Sequence, residues 1–354
     1  MKILIIVNSV VGKAEQLGFS GSTIIATKHG NHFDFKGNTV SYLTTLEGMW
    51  YLRHLGISND VYITRKDSKT HHSIIDYFFN FILSLKYLWV ETDVIYCVSD
   101  LLPDALFGFL YKLLHPKVYF VYSCHLLVRR QRIYYKKAIL RHLYSFFSQR
   151  IFLRLARRLA DLTVVPNDVD RKRFIDWKYN KDKVITVYGA SDYHFKVDTR
   201  KKMWDICFVG NEQAVKGMNI LDRLLPKLKD YKVKLIGDRW ERIDGFKKAV
   251  IVAESKILIL PSYHESFSLV AVEAISVGTP VIAFDIPALR SIYKYGVEFV
   301  PCYNEEWFLE AIKADLKYLK FLDGMAKQAY EFGKTFNWSN EAHKILEKIL
   351  SKCR

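Results

Sequence analysis

Two glutamates separated by seven residues, Glu265 and Glu273, stand in residues 260–284, LPSYHESFSLVAVEAISVGTPVIAF. A strand ends at Pro261 and Ser262, a polar loop of Tyr263, His264, Glu265 and Ser266 follows, and a helix is expected from near Ser268 to a stop at Gly278. Such a helix start is a ready anion site, because its first N–H groups are unpaired and its dipole favours negative charge. Glu265 lies just before the helix and Glu273 in its second turn, so the two carboxylates bracket that site. Carboxylates accept hydrogen bonds from vicinal sugar hydroxyls, which suits a diphosphate carrying hydroxylated groups at both ends. Taken by themselves, the two glutamates fit a solvated helix start better, since Glu in a first helical turn is ordinary.

The neighbouring residues add what the pair lacks. Glu265, Phe267, Leu269, Glu273, Ala274, Gly278, Pro280 and Val281 match the pattern E-x-F-G-L-x-x-x-E-A followed by G-x-P-V, with Ser268 in place of its glycine. The stretch resembles the donor-site motif of retaining glycosyltransferases of the GT-B fold, the glycosyltransferase family 4-like enzymes that include sucrose synthases and mannosyltransferases. The resemblance implies that Glu273 accepts the ribose hydroxyls of a nucleoside-diphosphate sugar and that Glu265 contacts its sugar. It implies a donor-binding contribution from Ser266 and from the backbone of Phe267, Ser268 and Leu269. In CFVGNEQAVKGMNILDRLLPKL, Lys216 matches the lysine that holds the donor diphosphate, a sensible use of a compact ammonium. The family's arginine five residues earlier is Asn211 here, and Arg239 is a candidate substitute. His125, beyond the run VYFVYSC, matches a histidine of the catalytic cleft. Gly21 resembles the glycine of the first loop, and Asp192 in VYGASD an interdomain landmark. No G-x-G-x-x-G follows the first strand, which argues against a dinucleotide oxidoreductase. The pair Asp168 and Asp170 spells D-x-D, a metal motif elsewhere. After VVPN and before RKRF it reads instead as the acidic first turn of a helix, and no metal is expected.

The elements that must position these groups are short apolar β-branched runs at residues 3–7, 61–64, 94–98, 118–123, 162–166, 184–188, 206–210, 233–237, 257–261, 281–284 and 297–300. Continuous rather than alternating hydrophobicity means strands buried on both faces, and their alternation with helical segments predicts an α/β, doubly wound, parallel-sheet architecture. The polar stretch SDYHFKVDTRKK separates two halves. The expectation is a Rossmann-like acceptor domain over 1–195, a Rossmann-like donor domain over 196–335 and a helix over 336–354 returning to the first, with a cleft between the domains. That helix is read at 338–350, with Ser339 or Asn340 as its cap.

The 354 residues carry 53 Lys plus Arg against 37 Asp plus Glu, a net charge of +16. Residues 1–190 hold 27 basic and 15 acidic side chains, and the remainder 26 and 22. No acid occurs from Leu126 to Ala160, where Arg129, Arg130, Arg132, Lys136, Lys137, Arg141, Arg150, Arg154, Arg157 and Arg158 alternate with aromatic and aliphatic residues. This reads as an interfacial segment on anionic lipid, near an acceptor that is then a lipid-linked or membrane-associated glycan. The alternatives are a core helix with a solvated basic face, or nucleic acid, for which no recognition motif is present. The most lipid-like stretch, residues 77–85, is too short to span a bilayer, which takes about 20 residues. Five scattered cysteines form no metal or disulfide pattern, and four of them read as buried thiols. With no secretory signal at the start, a cytoplasmic protein, peripheral on the inner face of a membrane, is expected. A sugar-nucleotide epimerase or phosphorylase of the same fold, or a non-catalytic binding protein, are the competing readings.

Overall fold

The computed structural model describes residues 1–10, 21–34, 37–65, 73–128, 139–198 and 201–353. The chain divides into two compact units, Met1–Val187 with Trp338–Arg354, and Tyr188–Asn337.

The first unit is built on a seven-stranded sheet of β1 (Lys2–Val7), β2 (Thr39–Thr44), β3 (Asp60–Ile63), β4 (Val94–Cys97), β5 (Tyr119–Ser123), β6 (Leu162–Val165) and β7 (Val184–Thr186). Its order is β3-β2-β1-β4-β5-β6-β7, every pairing parallel. The helices α1 (Gly21–Asn31), α2 (Leu46–His54), α3 (Ser73–Ser84), α4 (Leu102–Leu114), α5 (Ile139–Leu159) and α6 (Asp168–Asp176) connect them. Strand β2 has no counterpart among the apolar runs of the sequence. Its TVSYLT places Thr39, Ser41 and Thr44 where the other strands carry aliphatics, and the buried Thr44 hydroxyl is satisfied by the Val7 carbonyl at 2.6 Å.

The second unit holds β8 (Trp204–Val209), β9 (Val233–Ile236), β10 (Ser255–Leu260), β11 (Val281–Phe284) and β12 (Val297–Val300) in the parallel order β12-β11-β10-β8-β9. Around this sheet lie α7 (Met218–Leu224), α8 (Gly245–Ala253), α9 (Leu269–Ser276), α10 (Pro287–Ile292), α11 (Glu305–Lys317) and α12 (Leu319–Gly333). Both units are Rossmann-like.

The last helix, α13 (Trp338–Cys353), belongs to the first unit. It begins at Trp338, so Ser339 and Asn340 lie in its first turn. Its Ala342, Ile345, Leu346 and Ile349 share one core with Ile3, Ile5 and Val7 of β1, while Leu4 and Ile6 point into a second core on the other face of the sheet. The alternation follows from the period of two along a strand. Cys97, Cys124 and Cys207 are buried, and Cys302 is exposed.

Candidate active site

In doubly wound sheets ligands bind beyond the carboxyl ends of the strands, where the strand order reverses. In the second unit that reversal falls between the paired strands β8 and β10. The loops leaving these two strands carry Lys216 and Glu265. They are stitched together: Tyr263 N donates to the Val215 carbonyl at 2.8 Å. Gly217 closes the turn at φ 75°, where an added Cβ would stand 1.9 Å from the Pro261 carbonyl oxygen. Glycine is therefore required for the loops to approach. The approach brings Lys216 Nζ to 2.7 Å from Glu265 Oε1, and Ser262 Oγ donates to the same oxygen at 2.8 Å. The Glu265 side chain is 7% exposed and the Lys216 side chain 27%. A buried carboxylate is thus held by one ammonium and one hydroxyl, the pairing a buried charge requires.

Asn211 lies in the same loop as Lys216, and its Oδ1 is buried without a hydrogen-bond partner among the described residues. Phe267 is buried, and the loop backbone here is pinned by Tyr293, whose hydroxyl donates to the carbonyls of Phe267 and Ser268 at 2.8 and 2.9 Å. Ser268 has φ 67°, the left-handed region that the glycine of the motif adopts freely. A serine there costs about 1 kcal/mol or more of backbone strain. Its side chain repays part of this by capping α9 through a bond from Ala271 N at 3.4 Å, and Leu269 opens the helix. Ser266 lies in the loop between.

Glu273, on α9, meets a residue that sequence reasoning missed. Lys248 of α8 places Nζ 2.9 Å from Glu273 Oε1. Burial works against the charge of Lys248, yet Glu273, aided by Asp244 and Asp192, holds its pKa above the ordinary lysine value. The lysine sits in GFKKAVIVA, which carries no motif, and only the packing of α8 beside α9 selects it. Arg239 makes a different pairing, with Nη1 2.6 Å from Asp222 Oδ1 and the guanidinium 5.9 Å from the Trp240 ring centre.

In the first unit the strand order reverses between β1 and β4. There a buried network joins the two loops: Asn8 N and Ser9 Oγ donate to Asp104 at 2.6 and 2.8 Å, and Ser99 Oγ bonds the same carboxylate. Burial pushes the Asp104 carboxyl up to about 7. His125 follows β5 and is 5% exposed, its buried ring lying against the Val98 backbone. Gln149 of α5 braces the segment after it, accepting from Val128 N and donating to the Leu126 carbonyl, both at 2.8 Å. Gly21 opens α1. Residues 11–20 and the cations Arg129, Arg130, Arg132, Lys136 and Lys137 lie outside the described residues, and Arg141 falls in the first turn of α5. Asp168 and Asp170 occupy the first turn of α6, where Asp168 accepts from Thr186 Oγ1 and Asp170 pairs with Arg173, while Asn167 is the cap. No cluster of three or more His, Cys, Asp or Glu suited to a metal occurs among the described residues.

Burial pushes the His125 imidazole down to about 4 from its ordinary 6.5. The unfolded chain then binds the extra proton first, so stability present above pH 6.5 is lost as the pH falls toward 4. The loss amounts to about 3 kcal/mol. Urea midpoints at neutral and acid pH should fall less for His125→Gln than for the native chain; an equal fall would mean the imidazole is not buried neutral.

With this geometry in place, comparison with known proteins decides the family of the second unit. Residues 232–332 match the model of the family Glycosyl transferases group 1. The second unit therefore carries a glycosyltransferase group 1 domain. The match contains Glu265, Glu273 and Lys248, and Lys216 lies before it. A D-inositol 3-phosphate glycosyltransferase of Nocardioides is 31% identical over 27% of this chain and 21% of its own length. The matched stretches span from 21% to 56% of the length of the first three curated relatives. Among solved structures, Anabaena HepE in complex with UDP and glucose is similar with a TM-score of 0.75 at 15% identity, covering 99% of this chain and 100% of that one. Sucrose-phosphate synthase from Thermosynechococcus elongatus gives 0.76 at 16% identity over 100% of both chains. At these identities the likeness speaks for the fold, which is of the GT-B type.

Proposed function

We propose that the chain is a retaining glycosyltransferase that moves a sugar, a hexose, from a nucleoside diphosphate to a glycan or lipid-linked acceptor without a metal. The observation that carries this is the meeting of Lys216, Glu265 and Ser262 at the switch point of the second sheet. In this reading Lys216 neutralises the leaving diphosphate together with the N–H groups around Phe267, Ser268 and Leu269. Such preorganised donors supply the largest share of catalysis in many enzymes. Glu265 orients the donor sugar, and Glu273 accepts the ribose hydroxyls. Asn211 can turn its amide so that the NH2 faces the phosphate. Arg239 could join this group only by leaving Asp222. His125, neutral at pH 7, contacts the sugar or acceptor near the reacting carbon. The acceptor oxygen bonds the sugar carbon as the diphosphate oxygen leaves, and the leaving phosphate takes the acceptor proton, so no enzymic base is needed; Glu265 is not assigned as a nucleophile. An anionic bilayer at the cytoplasmic face, drawn to the basic segment, presents the acceptor; each engaged cation contributes about 1 kcal/mol.

A thermal-shift screen of UDP, GDP and ADP and their sugars tests the donor site. A ligand at 100 times its Kd should stabilise the fold by about 2.7 kcal/mol. The shift should persist in EDTA. No response to any of them would sink the reading. Nucleoside diphosphate released only upon addition of an acceptor alcohol separates transfer from epimerisation.

A further inference from the structure

Helix α3 is built inside out. Ser73–Ser84 reads SIIDYFFNFILS, and its polar residues recur at helical spacing. Asp76, Asn80 and Ser84 are at most 1% exposed, whereas Ile74, Ile75, Phe78, Phe79, Ile82 and Leu83 are each 39–54% exposed. At 3.6 residues per turn these six cover roughly half of the helix circumference. A helix on a water-facing surface has the opposite arrangement.

Each residue of the inward polar face is bonded to the protein, and Asn80 Oδ1 is its one buried side-chain atom without a partner among the described residues. Asn80 and Asn8 exchange bonds, Nδ2 of each donating to the backbone carbonyl of the other at 3.0 and 2.8 Å. Asp76 pairs with Arg65 at 2.8 Å, and Ser84 Oγ donates to the Phe81 carbonyl. These bonds fix the rotation of the helix, so its apolar side cannot roll inward without stranding buried polar groups. The outward face is therefore held out by the fold itself.

The neighbouring helices continue the surface. Helix α3 packs on α4, and α4 on α5. Leu113 and Leu114 at the end of α4 and Leu143, Phe147 and Ile151 along α5 are exposed, as is Trp89 at 74% beyond α3, its ring edge-on to His115 at 5.6 Å. The cations of this layer are exposed too: Lys86 after α3, Lys117 after α4, and Arg150, Arg154, Arg157 and Arg158 on α5. Exposed apolar side chains on three helices packed in series, an exposed tryptophan and cations without interspersed acids on α5 are the composition that an anionic membrane interface selects. A protein partner for such a face would have to match both its apolar area and its positive charge.

We propose that the outward face of α3, with the exposed residues of α5, docks this unit on an anionic lipid bilayer by burying Phe78, Phe79, Ile82 and Leu83 at the headgroup–acyl boundary. Helix α3 lies in the interface and does not cross it: its 12 residues reach about 18 Å, against about 30 Å of hydrocarbon. The exchange between Asn80 and Asn8 ties the docked helix directly to the loop that leaves β1 at the switch point of the sheet. A lipid-borne acceptor is then delivered to the edge where such sheets bind ligands. The inference deepens the membrane part of the proposed function and does not depend on the donor assignment.

The test is co-sedimentation of the full chain with vesicles of phosphatidylglycerol and phosphatidylcholine in equal parts, and with phosphatidylcholine alone. The native chain should bind the anionic vesicles. The double variant Phe78→Glu, Ile82→Glu should bind at least about tenfold less at low salt, and Arg154→Gln with Arg158→Gln should bind less and with a weaker salt dependence. Both variants change exposed residues, so their melting temperature and their response to nucleoside diphosphates should match the native chain. Undiminished vesicle binding by the glutamate variant overturns the proposal, as does failure of the native chain to bind anionic vesicles. A native dimer in sedimentation equilibrium that the glutamate variant abolishes overturns it in favour of a second copy covering the face. The nucleotide response is read separately, so loss of vesicle binding with that response intact leaves the donor site standing.

Discussion

Replacing Lys216 with alanine is expected to lower kcat/KM for sugar transfer by about 100- to 1000-fold, the range for losing one preorganised donor to a developing oxyanion. The same change has a structural consequence of a different origin. Glu265 is 7% exposed and would be left with the Ser262 hydroxyl as its one side-chain partner among the described residues. Breaking a buried pair from one side costs about 3–5 kcal/mol, and the 27% exposure of Lys216 places this case at the lower end. The two effects separate in a double-mutant cycle. Adding Glu265→Gln to Lys216→Ala should restore most of the urea midpoint, because the unpaired charge is gone, while transfer stays lost. Normal initial rates in Lys216→Ala would place the diphosphate site elsewhere.

The second large effect is expected at Glu273. Changing it to alanine removes a charged acceptor, and hydrogen bonds to charged groups are worth about 1.5–3 kcal/mol each. Two ribose hydroxyls would then account for a 100-fold or greater loss of nucleoside diphosphate affinity, about 3 kcal/mol, measured by calorimetric titration. The fold should survive, because Lys248 retains the charges of Asp244 and Asp192 as partners. A nucleotide made with 2′-deoxyribose identifies the contact. The native protein should bind it more weakly than the ribonucleotide, and the alanine variant should treat both alike. An alanine variant that still distinguishes them would assign the ribose to another group. Lys248→Met should show a smaller loss of affinity, since the carboxylate remains but is no longer oriented.

The strands were legible wherever burial on both faces made them continuously aliphatic, as in ILIIV of β1 and VIAF of β11. Strand β2 escaped because hydroxyl residues can be buried in a sheet once the backbone satisfies them, and that satisfaction is a tertiary fact. At the candidate site, Glu265 and Glu273 could be singled out from local spacing, and Lys216 from its resemblance to the donor-binding lysine of the family. The contact between Lys216 and Glu265 was not foreseeable, since it depends on β8 and β10 being neighbours and on the left-handed turn at Gly217. Lys248 lacked any local signal and is selected only by helix packing. The polar stripe in SIIDYFFNFILS was visible in the sequence, but a stripe does not say which side of the helix faces the protein. Arg65 and Asn8, far along the chain, decide that.

Helix α13 has a consequence for how the protein is made. The first unit is discontinuous: its sheet is complete by Thr186, yet Ala342, Ile345, Leu346 and Ile349 of its core come at the far end of the chain. During vectorial synthesis the first 187 residues emerge with the bed of α13 bare, and about 150 residues must be translated before the cover exists. The core of the nascent first unit is thus incomplete until the last helix is made. Its final closure is contingent on the whole intervening polypeptide having been produced, so a chain stalled within the second unit presents an open apolar surface to quality control.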